Sequence, residues 1–155
     1  MKERDCTKAL DLEIQYTAEG EPQQFIRDSL RSHNLRVAPT DQEPSALPVS
    51  LILRDERKQV VGGLLGMLYR HCFALDILWV DDAHRGTGCG TRLMATAEAV
   101  VREKGCRMIH LDTFSFQAPK FYQRQGYEVF GVLDGYPDGI RRYYLRKMLV
   151  SEHKD

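Results

Sequence analysis

An apolar run, residues 73–80, leads into the turn Arg85-Gly86-Thr87-Gly88-Cys89-Gly90-Thr91, and a helix-like run continues from it to Lys104. No other stretch constrains the fold as much. Glycines at 86, 88 and 90 let the backbone turn tightly and let a ligand lie against it. The first amides of a helix have no intrahelical acceptor, so they suit anionic oxygens, phosphate above all. A strand, a turn and a helix make up most of a crossover unit, which sets the next strand parallel to the first. The expectation is a sheet with a parallel pair and a phosphorylated ligand held on backbone beside it.

The flanking segments supply the other elements. Residues 10–17 alternate apolar and polar side chains, as a first strand does. Pro22 suits the first turn of a helix, and Phe25, Ile26, Ser29 and Leu30 give it one buried stripe through about residue 32. Three prolines in residues 38–48 mark a loop. Residues 49–54, 59–69 and 73–80 read as strands joined by the short reversals Asp55-Glu56-Arg57-Lys58 and Arg70-His71, an antiparallel meander. The order then changes. Residues 85–104 are helical, with Leu93, Met94, Ala97, Val100 and Val101 inward and Gly105 as C-terminal cap. A strand at 107–112, a short helix at 119–125 and strands at 128–133 and 142–147 follow. The fold class is α/β (α+β): a mixed, mostly antiparallel sheet of about seven strands with helices on both faces. A chain of 155 residues suits one such domain, with its core at about 10–149.

Charge and cysteine usage exclude several functions. The 22 basic and 22 acidic residues balance, without the basic footprint of a nucleic-acid binder or a polybasic membrane patch. The most apolar stretch, residues 60–69, is about half a membrane span. The first residues lack the apolar core of a signal peptide. Cys6, Cys72, Cys89 and Cys106 have neither metal-ligand spacing nor the pattern of a disulfide framework. The expectation is a cytoplasmic protein with no metal, nucleic acid or membrane partner.

The glycine turn has several possible owners. A phosphate-binding Walker loop needs Lys and then Ser or Thr after its last glycine, and this chain has Thr91-Arg92 there. A dinucleotide fingerprint needs G-x-G-x-x-G, but the spacing here is G-x-G-x-G and a meander precedes it. A tight turn without a ligand stays open. The pattern Arg85-x-x-Gly88-x-Gly90, after an apolar strand and before a helix, resembles the acetyl-CoA signature of the GCN5-related N-acetyltransferase (GNAT) family. Downstream, Ala118-x-x-Phe121-Tyr122-x-x-x-Gly126-Tyr127 resembles that family's second motif, and the element order matches its fold. Leu78-Trp79-Val80 and Thr113-Phe114-Ser115-Phe116-Gln117-Ala118 are similar to one group of small bacterial members. One departure stands out. Many members carry a cofactor-contacting Asn where this chain has Ser115, so Ser115 or Gln117 takes its place.

The resemblance implies direct transfer of an acetyl group from acetyl-CoA to a primary amine of a small molecule or peptide. Amides of Gly86, Thr87, Gly88, Cys89, Gly90 and Thr91 would take the pyrophosphate. Arg85 would contact phosphate or cap a carbonyl of the turn. Cys89 is a packing residue, because direct transfer needs no acyl-enzyme. The strand before the turn splays from its parallel neighbour in this family. Leu78, Trp79 and Val80 would then form the cofactor wall, with the Val80 amide stabilising the thioester oxygen. Tyr122 stands where the family often places a general acid. A thiol near 8.5 against a tyrosine near 10 opposes full proton transfer by about 2 kcal/mol, so hydrogen bonding counts as much as protonation. Asp76, counted on one strand face with Leu78 and Val80, is the leading base, with a solvent-facing Asp as the alternative. His110 is a base or a core histidine, and Asp112 shares its strand face. Acceptor choice would reside in residues 34–48 and the Tyr136-Pro137-Asp138-Gly139 turn. A homodimer through an edge at 142–150 and the use of longer acyl groups stay open. The competing function is a non-catalytic module that binds acyl-CoA or CoA.

Overall fold

The computed structural model describes residues 10–149. The chain divides after Thr40 into two compact units. In the first unit, residues 10–17 form no strand, and Leu10, Leu12, Ile14 and Tyr16 are exposed. Alternation sets a face but supplies no hydrogen-bonding partner, and a lone strand does not hold in water. Helix α1 (Glu21–Val37) has Pro22 in its first turn, as expected, but continues well past residue 32. Its Phe25, Ile26 and Leu30 are exposed, not buried. The helical period decides which side chains share a side, not whether anything covers them.

The second unit holds one six-stranded sheet, not seven strands. Its first half is the expected meander: β1 (Ala46–Arg54), β2 (Val60–Tyr69) and β3 (Cys72–Val80), each antiparallel to the next. β1 starts earlier than expected and includes Pro48, which an edge strand tolerates because the missing N–H is not required by a second neighbour. Arg70 and His71 turn the second hairpin with φ of 52° and 59°. Gly66 is where β2 passes over Phe73, since a Cβ there would lie 2.4 Å from the ring.

The crossover follows: β3, then α2 (Cys89–Glu103), then β4 (Met108–Phe114), with β4 parallel to β3. A short helix, α3 (Pro119–Arg124), leads to β5 (Glu128–Leu133), and β6 (Arg142–Met148) returns between β4 and β5. The closing strand is thus interior, which removes the edge expected at 142–150; the edges are β1 and β5. Met94, Ala97 and Val101 of α2 pack on Leu64, Leu68, Phe73, Leu75, Ile109, Leu111 and Leu145 of the sheet, and Leu93 is buried as well. Tyr122 of α3 joins the same core.

Candidate active site

The parallel ladder between β3 and β4 is short. Only Cys72, Phe73 and Ala74 pair, with Met108, Ile109 and His110, although β3 runs on to Val80 and β4 to Phe114. Beyond Ala74 the two strands part. A cavity of about 790 Å³ lies there, bordered by β3, β4, the glycine turn, α3 and the loop before it. Sheet backbone left unpaired next to a cavity can hydrogen-bond a ligand that enters as an extra strand would. The amide of Asp81 donates to Val61 on the β2 side (2.8 Å). Successive amides alternate in direction, so the Val80 N–H is directed at the opposite edge, the one facing the gap.

The glycine turn closes one end of the cavity. α2 begins at Cys89 with Gly88 as its N-cap, in the left-handed region at φ 85° and with no side chain capping the helix. The first α2 amides therefore have no side-chain acceptor, and the positive end of the helix dipole lies at the cavity. A Cβ built on Gly86 or Gly88 would meet nothing within 4 Å, so the space beside this backbone is open. A gap with unpaired strand backbone and a helix N-terminus on its wall suits an extended ligand that carries an anionic group. The Arg85 Nε donates to the Val80 carbonyl at the end of β3 (2.9 Å), and its guanidinium, on the cavity wall, pairs with Asp82 (2.9 Å). It braces the turn. Thr87 donates to the His84 carbonyl (2.6 Å) and lies 3.3 Å from the Cys89 sulfur.

Tyr122 of α3 borders the same cavity. Its ring is buried, edge-on to Phe121 and Tyr127. Burial, and then the negative charge of Asp112, push its pKa up to about 12. Across the gap, Asp76 is the extra residue of a β-bulge, between the pairs Leu65–Ile77 and Gly66–Leu75. The bulge breaks the alternation behind the shared face: Asp76 is exposed, whereas Leu78 is half-buried and Val80 buried. All three nonetheless border the same cavity.

The sequence profile described as the Acetyltransferase (GNAT) family matches residues 7–127. The chain belongs to the GNAT acetyltransferase family. The family is one of N-acetyltransferases, and this chain is an enzyme of that class. A blasticidin-S acetyltransferase from Streptomyces morookaense is 45% identical over 95 residues, 61% of this chain and 70% of that protein. An acetyltransferase from Agrobacterium fabrum is 31% identical over 131 residues, 84% of this chain and 93% of that one. The crystal structure of an acetyltransferase from Bacillus cereus superposes with a TM-score of 0.75 at 32% identity, over 86% of this chain and 97% of that one.

Of the residues expected in this GNAT site, Leu78, Trp79, Val80, Arg85, Gly86, Gly88, Cys89, Gly90, Thr91, Asp76 and Tyr122 all border the cavity. Thr87 and Ser115 do not. The Ser115 hydroxyl accepts a bond from the Arg141 amide (3.1 Å), which turns it to the β5–β6 loop. Gln117 borders the cavity while its carbonyl oxygen accepts from the Phe114 amide (2.8 Å) and the Thr113 hydroxyl (3.3 Å). His110 is half-buried and not on the cavity wall, whereas Asp112 is on it. Sequence reasoning passed over Phe116, Arg124 and Arg142. Phe116 and Arg124 border the cavity, and Arg142 binds Asp112 with two bonds of 2.7 and 2.6 Å. The run Phe114-Ser115-Phe116 carried the signal, since two aromatics flanking a turn beside a phosphate-binding motif invite a ligand. Cys72, Cys89 and Cys106 are free thiols; Cys6 lies outside the described residues. No group of three His, Cys, Asp or Glu able to hold a metal occurs among the described residues, and no described helix is long and apolar enough to cross a membrane.

Proposed function

We propose that the protein transfers an acetyl group from acetyl-CoA directly to a primary amine of a small molecule or peptide. The observation that carries this reading is the end of the β3–β4 ladder at Ala74, with an uncapped helix N-terminus and a buried tyrosine both bordering the cavity beyond it. Bound acetyl-CoA supplies the acetyl group as an activated thioester. The chain's own residues do the rest. Amides from Gly86 to Thr91 hold the pyrophosphate, and Arg124 adds positive charge to the same wall. The Val80 amide donates to the oxygen on which negative charge develops. Tyr122 donates a hydrogen bond to the departing sulfur. Against a thiol near 8.5, full transfer of a proton held to about 12 is opposed by roughly 5 kcal/mol, which favours a hydrogen bond to the thiolate over its protonation by this tyrosine. Asp76 has no ion pair among the described residues and takes the proton of the attacking ammonium. The name of the Streptomyces relative supports a small-molecule acceptor over a protein one.

The test is calorimetric titration with acetyl-CoA, followed by thiol release across a panel of amines. Binding with amine-dependent thiol release is the expected result. A folded protein that binds no acetyl-CoA overturns the reading. Binding without release on any amine moves the protein to the competing class, a module that senses acyl-CoA.

A further inference from the structure

We propose that the exposed ring of Phe116 is a docking shelf for a flat aromatic or heteroaromatic ring on the acceptor, so that aralkyl amines are preferred over aliphatic amines of the same size. The proposal rests on the acetyl-transfer reading for the fate of the amine; docking of the ring stands without it.

Phe116 is 67% exposed and sits on the turn between β4 and α3. Singly exposed apolar residues are common and carry no meaning alone. This one is held rigid. On one side Ser115 donates its amide to the Arg141 carbonyl (2.8 Å) and accepts from the Arg141 amide (3.1 Å). On the other, Gln117 accepts from the Phe114 amide (2.8 Å).

The support continues beneath the ring. Phe116 stacks flat on Phe114, with centroids 5.3 Å apart and planes 6° from parallel. Phe114 is held by the edge of Tyr136 at 5.3 Å and by the Arg142 guanidinium 5.4 Å from its centroid. Both Arg142 bonds to Asp112 land on the same oxygen, Oδ2. One face of Phe116 is therefore covered and the other is open, at the wall of the cavity that Tyr122 and Asp76 also border. The stack is a platform waiting for its next member, in the offset-parallel geometry that aromatic rings favour. Asp76, which borders the same cavity and has no ion pair among the described residues, attracts the ammonium of such an acceptor.

The test compares benzylamine with cyclohexylmethylamine, which differ in the flat π-face and little in size. Affinity for the CoA-loaded protein is read by saturation-transfer NMR titration, which needs no chemistry. Benzylamine is expected to bind roughly three- to ten-fold more tightly, and Phe116→Leu to reduce that ratio to about one. Phe116→Tyr, which keeps the π-face, retains the preference. Equal affinities, no detectable binding of benzylamine, or a preference that survives in Phe116→Leu overturns the shelf. Loss of acetyl-CoA affinity in Phe116→Leu with the ring preference unchanged also overturns it, by assigning the ring to the cofactor. A ring preference without thiol release from acetyl-CoA leaves the shelf standing and overturns the acetyl-transfer reading instead.

Discussion

Tyr122 meets two demands with one side chain: its ring fills the core, and its hydroxyl belongs to a residue on the cavity wall. The two demands are linked, because the burial that makes it a core residue also holds its proton. Tyr122→Phe keeps the ring and removes only the hydroxyl that is proposed to bond the leaving sulfur. It should lower kcat by about 10- to 100-fold and leave the KM for acetyl-CoA within about twofold, read in a thiol-release assay. It should also alter alkaline unfolding. The unfolded chain releases this proton near 10, the folded one near 12, so between those values only the folded state keeps it. Stability from this group is whole below pH 10 and is lost as pH rises through about 12. The fall in Tm between pH 10 and 11.5 should be shallower in Tyr122→Phe. A slope from Tyr127 remains, since burial and Glu98 raise its pKa further. Asp76→Asn tests the other side of the gap. A loss of kcat of about 100-fold at neutral pH supports the base, and a loss under about twofold passes the proton to water.

At the scale of elements, the strand–turn–helix junction and the meander were legible because each is a local event. Glycines, reversals and apolar periods lie within a few residues of the backbone they shape. Two things were not local. The bulge at Asp76 depends on how β3 registers with β2, so counting by twos from Leu78 could not find it. The place of β6 between β4 and β5 depends on a long return, and a chain-order reading left the last strand at the edge. The junction itself yields a paired prediction. Gly88 has φ 85°, so any side chain there meets backbone strain, while the space that an added Cβ would enter is open. Gly88→Ala measures the strain alone: a destabilisation of about 1 kcal/mol and acetyl-CoA binding weakened by less than about tenfold. Gly88→Glu adds a carboxylate at the helix N-terminus where pyrophosphate is expected, and it should abolish measurable binding in calorimetry with the fold intact by circular dichroism. Equal effects of the two variants would mean that the turn matters for shape and not for anion binding.

Across the second unit, what holds helix to sheet is apolar burial plus one charged contact that the sequence did not announce. Lys147 on β6 reaches both oxygens of Glu98 on α2 at 3.0 Å and donates to the Gln125 carbonyl beyond α3 at 2.9 Å. Tyr127 donates to the same Glu98 at 3.2 Å. Residues 49 positions apart meet here, and neither a charge count nor a periodicity identifies such a pair. The pair ties together the three elements that surround Tyr122: α2, the end of α3 and β6. Its contribution is judged by what is left when one member is lost. Lys147→Ala leaves Glu98, whose side chain is only 14% exposed, with the Tyr127 hydroxyl but no counter-charge, and the Gln125 carbonyl loses its Lys147 donor. A fully buried pair broken this way costs about 3–5 kcal/mol. The Lys147 side chain is 27% exposed, so water reaches part of the site and about 2 kcal/mol is the expected loss. For a chain of this length that lowers Tm by about 6 °C. Lys147→Met in the background of Glu98→Gln removes both charges together and should recover more than half of the loss. A double variant as unstable as Lys147→Ala would mean that the lysine acts through its packed methylene stem and not through its charge.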